Sequence, residues 1–193
     1  RKNPRGTIEA FRQSGVARAG AALVIKVQNV AGNEADFAAL QDAVRDLPGT
    51  TLLAETLSRD DVYRLESACD AFVSLHRSEG FGLAVAECMY LGKPVIATAY
   101  SGNMEFMTPQ NSCPIDYTLV PVQEGEYPFW QAQHWAEADV EAAARAMRRV
   151  FDDREWASKL GGRAAADVRA RLSRAGCAEA MAARLDAITR RGG

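Results

Sequence analysis

Residues 75–97 read LHRSEGFGLAVAECMYLGKPVIA. A strand end, a glycine-bearing turn, a short helix, a Gly-Lys-Pro exit and a second strand follow one another within it. Glu79 and Glu87 stand eight residues apart across that turn and helix. A turn of this kind directs backbone N–H groups and the positive end of a helix dipole outward, which suits a phosphate. Carboxylates on either side can accept hydrogen bonds from the hydroxyl groups of a sugar or a ribose.

Working outward, residues 22–27 (ALVIKV) form the near-continuous apolar run of a buried parallel strand. Phe37, Leu40, Val44 and Leu47 then line one stripe of a helix over 33–47. Pro48-Gly49 turns the chain into a strand at 50–54, and Ser58 with Asp61 resembles a capping box for a helix ending near Cys69. Strands at 71–75 and 95–98 flank the central helix, and a fifth is expected at 113–117. Asn3-Pro4 supplies an N-cap and first helical residue for a helix that stops at Gly15. Residues 118–134, rich in Pro, Gly and aromatics, read as a long irregular excursion of the kind that is often functional or interfacial. Helices follow at 139–151, 154–172 and 178–188. Alternation at this spacing predicts an α/β fold: a Rossmann-like doubly wound parallel sheet, helices on both faces, and a helical C-terminal extension. The division expected is an α/β core over 1–138 and C-terminal helices over 139–193, together one domain. Ligands of such sheets bind outside the carboxyl ends of the strands, the edge where the loops at 55–59, 76–83 and 98–104 emerge.

The chain has 193 residues, 48% of them hydrophobic and 25% charged, with a net charge of -2. That balance is of an ordinary globular protein and offers no surface for nucleic acid. Cys69, Cys88, Cys113 and Cys177 make no CxxC pair and no metal-like spacing with His76 or His134; isolated cysteines of this kind are usually buried reduced thiols, which favours a reducing compartment. No apolar run approaches the roughly 20 residues of a membrane span. There is no secretory signal, and Arg1 looks like an internal start, so a targeting segment can have stood upstream. No DxD, GxSxG, HExxH or P-loop is present.

The candidate residues keep alternatives open at this stage. Glu79 and Glu87 are either ligand groups or a dipole partner and a solvated helix residue, although the apolar neighbours of Glu87 argue for a buried helix, where an unpaired carboxylate is costly. Gly80 and Gly82 permit close backbone approach. Arg1 and Lys2, just before a helix N-terminus, are an anion site or an exposed basic terminus. His76 at a strand end is more often structural. Arg77 can pair with Glu79 or reach a phosphate, Asn103 lies in a second loop able to present N–H groups, and Lys93 reads as a helix C-terminal cation.

Glu79-Gly-Phe-Gly-Leu, Glu87 and Gly92-Lys-Pro-Val-Ile-Ala97 together resemble the E-x7-E signature of the retaining glycosyltransferases of family 4 (group 1), which have the GT-B fold. Arg1-Lys2-Asn3-Pro4 is similar to the basic loop of that family's C-terminal domain, and Ala68-Cys69-Asp70-Ala71-Phe72-Val73 to its A-D-x-x-V lead-in. The segment from Ser101 to Met107, SGNMEFM, resembles the following loop of a polysaccharide-type subgroup. The resemblance implies a hexosyl-transferring enzyme that takes its sugar from a nucleotide-diphosphate donor, needs no cofactor or metal, and retains anomeric configuration. Glu79 would be the catalytic residue beside the reacting carbon. Glu87 would hold the ribose hydroxyls, Lys2 the diphosphate, and Leu57 the loop that packs on the base. The backbone from Gly80 through Phe81, Gly82 and Leu83 would hold sugar hydroxyls or the distal phosphate. Arg1, His76, Arg77 and Asn103 are further candidates around that site.

The same resemblance implies what this sequence does not contain: an N-terminal acceptor domain, which would bring a saccharide or lipid-linked acceptor, and the first strand of this domain. It points to cell-surface polysaccharide biosynthesis in the cytoplasm, with peripheral association at the inner face of the membrane as a further option. Two other readings remain at this stage: a non-catalytic nucleotide-sugar binding module, and a sugar-nucleotide epimerase or phosphorylase on the same architecture.

Overall fold

The computed structural model describes residues 1–190. Helix α1 (Pro4–Ser14) begins at Asn3, whose side chain accepts from the Gly6 amide at 3.1 Å, and ends at Gly15 in the left-handed region. A single 3-10 turn leads to β1 (Leu23–Lys26), then α2 (Glu34–Val44), β2 (Thr50–Leu53) and α3 (Arg59–Ala68). The central unit is β3 (Phe72–Ser74), α4 (Leu83–Tyr90) and β4 (Val95–Thr98), followed by a 3-10 turn at Gly102–Glu105 and β5 (Cys113–Ile115). Strands β6 (Tyr117–Pro121) and β7 (His134–Ala138) precede α5 (Val140–Asp152), α6 (Arg154–Arg171) and α7 (Arg174–Thr189).

The strands expected from apolar runs are present and parallel: β1 pairs with β2, and β4 lies between β3 and β5. Among the described residues no ladder joins β1 to β3, so the parallel strands form two pieces that share one core. The backbone of Arg1 lies at the end of β3, its carbonyl accepting from the Arg77 amide at 2.8 Å.

Side chains of β4 alternate between two cores, which is why the helices sort onto two faces. Ile96 joins Ile8, Phe11, Leu75, Met147 and Val150 under α1 and α5. Val95 and Ala97 join Val85, Met89, Phe106, Ala164 and Val168 under α4 and α6. All four residues of β4 are buried, as expected of a central parallel strand. The fold is the doubly wound α/β arrangement that the alternating elements imply.

Two expectations need correction. Residues 118–134 are not wholly irregular: β6 and β7 form an antiparallel hairpin, Tyr117 facing Ala138 and Pro121 facing His134. Its inner strand is anchored by buried Trp135, Ala136 and Ala138, while β6 is largely exposed. The last helix begins at Arg174, before the expected 178, because the Ser173 hydroxyl caps it, accepting from the Gly176 amide at 3.0 Å.

Candidate functional site

Helix α4 opens without a side-chain cap, its N-cap Gly82 at φ 88 and no acid in its first turn. The first N–H groups of an α-helix have no partner within the helix, so this end presents donors and the positive pole of the dipole to whatever faces it. Leu83, the first residue of the helix, is 56% exposed, so that end is open to solvent. Gly82 adopts a backbone that a side chain would strain, and a Cβ there would also stand 3.1 Å from the Asn103 Cβ. Phe81 packs on buried Phe106 with ring centroids 5.3 Å apart and the rings tilted at 48°, which helps to fix the turn.

Glu79 is held through its main chain by the loop after β4. Its amide donates to the Ser101 hydroxyl at 3.1 Å, and its carbonyl accepts from that hydroxyl and, at 3.3 Å, from the Gly102 amide. Two loops from neighbouring strand ends thus lie against each other, and a Cβ at Gly102 would fall 1.9 Å from the Gly80 carbonyl oxygen. The Glu79 carboxylate forms an ion pair with Lys2, which sits just before α1. Glu87, on α4, pairs with Arg59 at the start of α3 and lies 3.4 Å from the Tyr63 hydroxyl. Both carboxylates are shielded, at 14% and 15% side-chain exposure, while their cations stand more than half exposed. Lys2, whose ammonium stands largely in solvent, can be exchanged for a ligand's donors on Glu79, whereas Arg59 is backed by the Tyr63 ring and stays with Glu87.

His76 and Asn103 are fully buried and hold the strand ends together. Asn103 donates from Nδ2 to the Thr98 carbonyl at 3.0 Å, which leaves Oδ1 to accept from His76 Nε2 at 3.1 Å. His76 Nδ1 therefore accepts from the Ser74 hydroxyl at 3.0 Å, and the tautomer carries its proton on Nε2. Arg77 does not pair with Glu79: its guanidinium forms an ion pair with Glu137 at 2.6 Å, without hydrogen-bond alignment at Nε, and lies 3.8 Å from Glu126, both on the hairpin arm. Glu137 is tied in turn to Asn3 at 3.4 Å. Lys93 sits at the exit of α4, yet its ammonium reaches the last turn of α3, at the Ser67 carbonyl 2.7 Å away. Leu57 is half-buried in the loop before Arg59. Arg1 is exposed and takes part through its carbonyl.

The sequence did not reveal Arg59, Tyr63 or Ser101. A signal for the first existed: a cation at the first position of a helix opposes the dipole, so Arg59 needed a partner elsewhere. Ser101 carries a positive φ of 80 in a non-glycine residue, which no spacing rule reveals.

The family model of glycosyl transferases, group 1, matches residues 1–167. This chain belongs to that family. No curated protein matches its sequence. Among solved structures it is similar to HepE of Anabaena in complex with UDP-glucose, with a TM-score of 0.71 at 18% identity over 96% of this chain and 45% of that one. It is also similar to sucrose-phosphate synthase of Thermosynechococcus elongatus, at TM-score 0.67 and 21% identity, covering 99% of this chain and 43% of that one. TarM of S. aureus, solved with UDP, matches at TM-score 0.62 and 15% identity over 89% and 30% of the two chains. The chain spans less than half the length of each of these structures.

In this group 1 chain Lys2 and Glu79 stand together beside the 80–83 turn that follows β3, and Glu87 lies one turn further along α4 with Arg59. Leu57 lies in the loop that ends in Arg59. No group of metal-binding side chains occurs among the described residues, and no described helix is long and apolar enough to cross a membrane.

Proposed function

We propose that this chain is the donor-binding half of a retaining glycosyltransferase that takes a sugar from a nucleotide-diphosphate donor. The observation that carries the reading is the pair of shielded glutamates flanking an uncapped helix N-terminus, each neutralised by an exposed cation. Family membership and the UDP-glucose complex of a similar fold support it.

In this reading Lys2 leaves Glu79 for the more highly charged diphosphate, and the freed Glu79 carboxylate accepts from a hydroxyl of the transferred sugar. The N–H groups at the start of α4 face the distal phosphate, and Glu87 accepts from the ribose hydroxyls. As the bond from the anomeric carbon to the phosphate oxygen breaks, negative charge grows on the departing diphosphate, where Lys2 and the helix dipole stabilise it. The acceptor hydroxyl attacks from the same face, and its proton passes to the leaving phosphate oxygen, so configuration is retained. None of these steps uses a metal. The acceptor, a saccharide or a lipid-linked saccharide of cell-surface polysaccharide assembly, is brought by a second domain. Cysteines that are all unpaired accord with cytoplasmic work at the inner face of the membrane.

Glu79→Gln in the full-length protein tests the assignment. Transfer should fall by about 10²-fold or more, while donor affinity, read by calorimetry, stays within a few-fold. Undiminished transfer would remove Glu79 from the reacting centre. Intact biological function alongside absent transfer would favour a binding module.

A further inference from the structure

Arg59 is placed where helix stability gives it no reason to be. It occupies the first position of α3, facing the positive end of that helix's dipole, and Asp60 and Asp61 already serve the first turn. Its partner is Glu87, on a different helix. The guanidinium lies 4.5 Å from the centroid of the Tyr63 ring, one turn further along α3, so the ring supports it from behind. The Tyr63 hydroxyl approaches the same Glu87 oxygen that Arg59 engages, Oε1. No hydrogen bond reaches Glu87 Oε2 among the described residues, and Oε2 is not among their buried unpartnered atoms. One oxygen of the carboxylate is therefore pinned from α3, and the other is open to accept from outside.

We infer that Arg59, backed by Tyr63, is the positioning residue that sets Glu87 to recognise the vicinal diol of the donor's ribose. This rests on the reading of Glu87 as the ribose-binding group. A free glutamate side chain turns about three bonds, and its carboxylate loses that freedom when it binds. Two donors from α3 on Oε1, the Arg59 guanidinium and the Tyr63 hydroxyl, remove that freedom beforehand and leave Oε2 with a fixed direction. A diol donates two hydrogen bonds to such an oxygen or across the carboxylate edge; a 2′-deoxyribose donates one fewer. Arg59 thus controls discrimination between ribo- and deoxyribonucleotides while touching neither the base nor the sugar to be transferred.

Calorimetric titration of the longest soluble form of the protein with UDP, GDP and ADP, each beside its 2′-deoxy counterpart, tests this. For the nucleotide that binds, the parent should prefer the ribo form by about tenfold or more, as for a hydrogen bond to a charged group. In Arg59→Ala the preference should shrink to about threefold or less, through weaker binding of the ribo form, with the deoxy form held within about twofold. Arg59→Lys, which keeps the charge without the fork, should fall between. Equal weakening of both forms in Arg59→Ala, or an unchanged ratio, overturns the proposal, since a phosphate contact or a merely structural role gives those results. Glu87→Gln separates the two levels. If it abolishes the preference while Arg59→Ala does not, the positioning role fails and the ribose reading stands. A preference that survives Glu87→Gln, or is missing in the parent, overturns the ribose reading and this inference with it.

Discussion

Glu79 has its main chain clamped by Ser101 and Gly102 and its carboxylate neutralised by Lys2. The clamp fixes where the side chain starts, and the ion pair leaves its partner free to move, because Lys2 stands largely in solvent. A second carboxylate nearby behaves differently. Glu66, on the inner side of α3, has an oxygen with no hydrogen-bond partner; burial raises its pKa, and the charge of Arg59 only partly counters this. A carboxyl whose folded pKa is raised favours the protonated native state, so its contribution to stability declines as pH climbs from the unfolded value to the folded one. Glu66→Gln should therefore raise Tm at pH 7, with the gain vanishing below about pH 4, where both forms are neutral. Thermal melts of the two proteins across that range check the sign; a loss of Tm at pH 7 would mean that Glu66 has a partner in solution.

At the scale of elements, the approach of α6 to the exit of α4 depends on one missing side chain. A Cβ on Gly161 would lie 2.0 Å from the Gly92 carbonyl oxygen, a backbone atom that cannot swing aside. Gly161→Ala should cost about 1–3 kcal/mol by forcing α6 away from the Gly92-Lys93 turn, measurable by urea denaturation; an unchanged midpoint would mean that the helix slides freely there. The parallel strands and most helices were legible because their cues are local: apolar runs for β1–β4, the Asn3, Ser58 and Asp139 caps, and the Gly15 stop. The β6–β7 hairpin was not. Pro121 ends one strand, Ala136, Glu137 and Ala138 are poor strand formers, and the ladder exists because Trp135 packs against Tyr127 within the hairpin and the Ala136 amide donates to the Arg77 carbonyl beyond β3. Glu79, Glu87, Lys2 and the 80–83 turn stood out as candidates because each lies in a compact motif, and the structure gives each of the two carboxylates a cation. Arg77 was misjudged because its partners, Glu126 and Glu137, sit on that same hairpin. Arg59 escaped notice because its contact with Glu87 spans 28 residues.

At the scale of the whole molecule, helices α1 and α5 on one face and α4 and α6 on the other bury two cores separated by β4, with the candidate site at the carboxyl ends of the strands. Three of the four thiols are held protonated by burial, which pushes Cys113 up to about 11 and raises Cys69 and Cys88 as well; Cys177, expected to be buried, is exposed. In the proposed reading this chain binds the donor, yet transfer needs an acceptor hydroxyl placed against the anomeric carbon with water excluded. This chain, less than half the length of the similar structures, should therefore show no steady transfer from any nucleotide sugar. Sustained product formation by this polypeptide in a coupled assay would refute the division of labour.

Binding of the donor is the point on which the account stands. The direct measurement is thermal denaturation of the longest soluble form of the protein with UDP, GDP, ADP and their sugars at millimolar concentration, beside the Lys2→Ala variant. At a hundredfold excess over Kd a ligand adds about 2.7 kcal/mol, which for a chain of this size raises Tm by roughly 5–10 °C. The account predicts such a rise for at least one nucleoside diphosphate and a much smaller one for Lys2→Ala. A Tm unmoved by every member of the panel, or a rise that Lys2→Ala leaves intact, would contradict a diphosphate site at Lys2, Glu79 and the start of α4.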